Sequence, residues 1–143
     1  MSALFRADCS NRGLALLRIV AGVLFALHGV QKFGMFGGLD GAGAVAPAMT
    51  LIWFAAVIEV VAGPAIAVGF WTRPLAFLAS GEMAVAYWLV HAPRGPLPLT
   101  NGGEPAILYC FLWLFLASHG AGAWSLDALA GARKGDSGAG RCA

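Results

Sequence analysis

The 143-residue chain is 59% hydrophobic and only 11% charged, with a mean hydropathy of +0.77 and a formal net charge of +2. A soluble domain carries about 25% charged residues, so this composition excludes one, and it excludes disorder other than at the ends, because disorder needs low hydrophobicity and high net charge. The nine basic residues are scattered, with Arg133-Lys134 as the one adjacent pair, which leaves no basic patch for nucleic acid.

Cys9, Cys110 and Cys142 form neither a CxxC nor a metal-ligand spacing, so the sequence encodes no disulfide scaffold, no dithiol centre and no metal site. A bilayer core of about 30 Å needs about 20 apolar residues in a helix, and four stretches qualify. Residues 1–13 form a short N-terminal segment, followed by a transmembrane domain over 14–130 with spans at about 14–33, 50–70, 74–91 and 105–123. The predicted fold is all-α, a four-helix transmembrane bundle.

Between the spans lie a Gly/Ala-rich loop from Gly34 to Met49, the tight turn Trp71-Thr72-Arg73, and a segment from Ala92 to Glu104 with three prolines and Asn101-Gly102-Gly103. Pro74 and Pro105 stand in first turns, where a missing N–H costs nothing, and Glu104 puts a negative charge at a helix N-terminus. Gly63-Pro64 reads as a kink inside the second span. Ala44-Val45-Ala46 has the shape of a signal cleavage site but stands too far from the first apolar run to serve as one. Past the fourth span, Ser125-Leu126-Asp127-Ala128-Leu129 starts a short interfacial helix, and residues 131–143 are expected to be a disordered tail.

Arg6, Arg12, Arg73, Arg133, Lys134 and Arg141 flank one side of the spans against Lys32 and Arg94 on the other. Six against two places both termini in the cytoplasm of a bacterial-type plasma membrane crossed several times.

Charges within a bilayer cost a few kcal/mol unless partnered, about 2.5–3.5 on insertion scales. Arg18, Gly22, Phe25, Gly29 and Lys32 recur on one helical face, with His28 beside it. Glu59 is surrounded at helical spacing by Ala55, Ala56, Ala62 and Gly63, small residues that admit a neighbouring helix; Glu82 has Ala79 and Ala86. Depth at 1.5 Å per residue then pairs Arg18 with Glu82 as a structural ion pair and Glu59 with His28. Lys32, His91, Asn101 and Glu104 fall together at the outer surface. His28, Lys32 and Glu59 are the candidate ligand-binding residues, because a titratable His beside a buried carboxylate can move protons.

Leu17-Arg18, His28-Gly29-Val30-Gln31-Lys32, Ile58-Glu59, Gly69-Phe70-Trp71-Thr72-Arg73, Met83-Ala84-Val85-Ala86, His91, Asn101-Gly102-Gly103-Glu104-Pro105-Ala106 and Gly120-Ala121-Gly122-Ala123-Trp124-Ser125-Leu126-Asp127 follow one another in order. In these stretches the chain resembles the DoxX family of small four-span membrane proteins, from about Leu16 to Asp127. The resemblance implies a four-helix bundle and a role beside quinone-linked sulfur or thiol redox chemistry and oxidative-stress defence, in complex with other subunits.

The chain has no dinucleotide fingerprint and no iron–sulfur or flavin motif, and its three histidines fall at unmatched depths for haem. It is therefore not a complete redox enzyme by itself. A quinone fits better: its ring needs an apolar cleft, His28 or Lys32 can donate to its carbonyls, and Glu59 can exchange the proton. The competing class is a small-solute or proton transporter, as a homo-oligomer, or a non-catalytic membrane anchor for a soluble partner.

Overall fold

The computed structural model describes residues 3–139; Arg141, Cys142 and the last residues of the expected tail lie outside them. Among the described residues no strand forms, and the chain runs α1 (Ala3–Lys32), α2 (Leu51–Val68), α3 (Thr72–Ala86), a short α4 (Pro98–Asn101), α5 (Glu104–His119) and α6 (Leu126–Ala139). Three described helical segments are long and apolar enough to cross a membrane, Cys9–Lys32, Leu51–Val68 and Thr72–Arg94. The fourth apolar helix, Glu104–His119, has 16 residues and so a length of about 24 Å, short of the hydrocarbon core.

The boundaries follow local chemistry. Thr50 caps α2, its Oγ1 accepting the Trp53 N–H at 3.3 Å. Gly69 ends α2 in the left-handed region at φ 74°, with its N–H returned to the last turn. Pro64 sits inside α2 without breaking it. The third span leaves regular geometry at its far end, where a π-helical turn over Tyr87–His91 is followed by a 3-10 turn over Ala92–Arg94. α6 runs to Ala139, where a disordered tail from Gly131 is predicted from the sequence. Its start is capped by Ser125, whose Oγ accepts the Ala128 N–H at 3.1 Å, and its first turns are rich in Ala and Leu, both strong helix formers.

α1 packs along α2, α2 along α3, and α3 along α5. The α1–α2 seam is a backbone-to-backbone contact: a Cβ added to Gly22 would stand 2.5 Å from the Gly63 carbonyl oxygen, and one added to Gly63 would stand 2.6 Å from that of Gly22. Helices approach this closely only where side chains are small. α1 meets α5 instead through rings, with Phe25 5.2 Å from Trp113 and 5.6 Å from Tyr109, centroid to centroid. Phe25, Ile66, Trp113 and Leu116 are fully buried and, with Ala62, Ala76 and Ala79, form the core.

The bundle has two dissimilar ends. At the proximal end, α2 turns into α3 and α5 passes into α6; at the distal end lie the 34–49 loop and the segment around α4.

Candidate functional site

At the proximal end Arg18 is 1% exposed and bonds to backbone, not to a carboxylate. Its guanidinium donates to the carbonyls of Ala67 at 3.3 Å, Ala121, and Trp124 at 2.6 Å. The expected ion pair with Glu82 is therefore not formed. Arg18 lies level with the last turn of α2, where carbonyls have no helical partner, and a five-donor fork suits several such acceptors. Two further polar groups finish this end. Asp127 accepts the N–H groups of Trp71 and Thr72, each at 2.9 Å, and Arg73 donates to the carbonyls of Ser118 at 2.7 Å and His119 at 3.1 Å, closing α5.

The ionisable groups gather nearer the distal end. Lys32 Nζ stands 2.5 Å from Glu59 Oε2, with the side chains 22% and 1% exposed. Glu59 thus pairs with Lys32 and not with His28. Side chains lean toward their own helix N-terminus, and because α1 and α2 are antiparallel that lean carries Lys32 and Glu59 toward each other. Glu82 on α3 lies within electrostatic range of both Glu59 and Lys32, and Tyr109 on α5 within range of Glu59. Each of the four long helices contributes to one polar layer.

His28 is placed differently from expectation. It is exposed on the outer face of α1, lining a groove of about 300 Å³ with Leu24, Leu27, Gln31 and Phe36. Its ring stands edge-on to Tyr109 at 6.2 Å, and it feels the charge of Lys32, one turn away.

The expected surface group at the distal end separates. His91 Nδ1 donates to the Asn101 carbonyl at 3.2 Å. Asn101 is 3% exposed, donating to the Gly95 carbonyl and accepting the Gly103 N–H, both at 2.8 Å. Glu104 remains exposed at the start of α5, and Lys32 leaves the group for Glu59. Asn101 therefore folds its own turn. No group of three or more His, Cys, Asp or Glu able to hold a metal ion occurs among the described residues.

Sequence reasoning missed Tyr109, Gln31 and Asp127 as members of these arrangements. For Tyr109 the available signal was its position four residues before the mid-span Trp113, on one helical face; for Asp127 it was the first acid after the last apolar span.

Comparison with known proteins fits this architecture. The family model DoxX matches residues 13–92, a shorter stretch than the motifs suggest. The chain is 46% identical over 119 residues to an uncharacterized protein of Haemophilus influenzae (strain ATCC 51907 / DSM 11121 / KW20 / Rd), an alignment that covers 80% of this chain and 87% of that one. No solved structure matches the chain.

Proposed function

The chain belongs to the DoxX family, and we propose that it is the quinone-binding membrane subunit of a redox complex, spanning a bacterial plasma membrane four times with both termini inside, its short α5 crossing where the bilayer thins to meet it. The observation that carries the reading is the position of His28: an imidazole exposed on the outer face of α1, in an apolar groove, with the Lys32–Glu59 pair one turn further along. Leu24, Leu27 and Phe36 offer the apolar walls that a quinone ring needs, and His28 and Gln31 offer donors for its carbonyls. Lys32 and Glu59 supply the charge and the proton acceptor behind that surface. Electrons reach the quinone from a partner subunit, since this sequence carries no motif for an electron-holding group.

The test is quinone retention. The protein is reconstituted in lipid nanodiscs containing a ubiquinone analogue, washed, extracted and assayed. Wild type is expected to retain the analogue near one equivalent, and His28→Leu, which removes the imidazole donor, to bind it about 10-fold more weakly, the loss of one hydrogen bond to a ligand. Retention by wild type no greater than by a nanodisc without protein, or retention by His28→Leu equal to wild type, would overturn the reading.

A further inference from the structure

Glu82 is half-buried on α3, and no described residue donates a hydrogen bond to its carboxyl group. Its neighbours on α3, Ala79 and Met83, are buried, and its Oε2 is a buried oxygen without a partner among the described residues. The charges that reach it come from the helices packed about it: Glu59 on α2 and Lys32 on α1. Lys32 is already committed to Glu59 at 2.5 Å, α5 contributes the uncharged phenol of Tyr109, and Arg18 is spent on carbonyls at the other end. With both carboxylates ionised, this layer would hold two negative charges against one ammonium. A charge held at bilayer depth with one oxygen buried and unpartnered is costly, and a carboxyl group avoids that cost by holding a proton.

We propose that Glu82 is an exchangeable proton-binding site of the bundle, loaded and unloaded from its partly exposed side, with the Lys32–Glu59 pair as its fixed electrostatic neighbour. The proton is taken from water and returned to water; one O–H bond forms or breaks on the carboxyl group and no electrons change hands. The site stands on the cluster itself and needs no ligand in the His28 groove.

The experiment is infrared spectroscopy of the wild-type protein in lipid, without quinone, as the buffer is stepped from acidic to alkaline in H2O and in D2O. The expected result is a protonated-carboxyl C=O band that shifts on deuteration and fades as the buffer turns alkaline. Glu82→Gln should remove that band, while Glu104→Gln, which alters an exposed acid, should keep it. Should Glu82→Gln fail to insert, Glu82→Asp retains an acid at the position and must show a displaced band. No such band in wild type, a band that neither deuterates nor titrates, or one that persists in Glu82→Gln overturns the proposal. Because quinone is absent throughout, this outcome is independent of the retention assay.

Discussion

The carboxylate of Asp127 accepts the backbone N–H of Thr72 at 2.9 Å across 55 residues of sequence. Trp71 precedes α3 in the left-handed region and gives the helix no side-chain cap, so the start of α6 supplies one from a distance. Removing an N-terminal cap costs about 0.5–2 kcal/mol. Asp127→Ala is expected to lose about that much in thermal or denaturant unfolding in detergent, and Asp127→Asn less, since it keeps one acceptor. Equal stability of Asp127→Ala and wild type would show that the contact contributes nothing.

The α1–α2 seam makes a sharper forecast. Gly22→Ala forces a methyl group against the Gly63 carbonyl, and overpacking of this kind costs about 1–3 kcal/mol. Gly13→Ala, on the same helix but with open space around it, should be neutral or slightly stabilising, because Ala is the better helix former. The comparison is read as the fraction of monodisperse protein recovered after solubilisation and heating; matching losses would contradict the seam.

Lys32 and Glu59 should be energetically coupled, whereas Arg18 and Glu82 should not be. Breaking a buried pair typically costs 3–5 kcal/mol, and about 3 is expected here because Lys32 is 22% exposed. In a double-mutant cycle, Lys32→Met with Glu59→Gln should cost less than the sum of the single changes. Arg18→Met with Glu82→Gln should add to within about 0.5 kcal/mol. Strict additivity of the first pair would mean that the contact carries no energy.

The 34–49 loop has its own pH signature. Asp40 Oδ1 accepts the N–H groups of Ala44 at 3.0 Å and Ala42 at 2.8 Å. Those bonds, with Ala44 first, favour the ionised form and hold the Asp40 carboxyl below its ordinary value. A depressed folded-state value means that the loop's ordering is fully present above the ordinary Asp range and is lost as pH falls through the lower, folded value. NMR titration of the carboxyl carbon should find its midpoint below about 3.9, with faster amide exchange at Ala42 and Ala44 below that midpoint. A midpoint at or above the ordinary value would contradict the turn.

Much of the helical layout was legible because span length and small-residue spacing are local signals. Glu59 announced its burial through Ala56, Ala62 and Gly63, all of which are buried on α2. Partner choice was not legible from depth alone. Depth and the lean of Glu59 toward its own helix N-terminus match it with His28, whereas Lys32, at the end of α1, leans back along that helix with a side chain that spans about a helical turn and so meets Glu59 first. Arg18 was misassigned for a different reason: its acceptors are backbone carbonyls of Ala67, Ala121 and Trp124, and a carbonyl has no residue type to read. The short fourth helix also went unseen, because Ala92 to Glu104 reads as one loop until Asn101 turns it back through Gly95 and Gly103.

The two flanks of α1 are unequal. Toward α2 its glycines lock it backbone against backbone, while toward α5 it leans on two aromatic rings, Tyr109 and Trp113, through Phe25 and His28. Facing rings can slide or swing apart without losing a hydrogen bond, but interlocked backbones cannot. The bundle is thus built like a door hinged on α2, with its free edge along α5. His28 stands along that edge, beside Tyr109, already exposed to whatever surrounds the bundle.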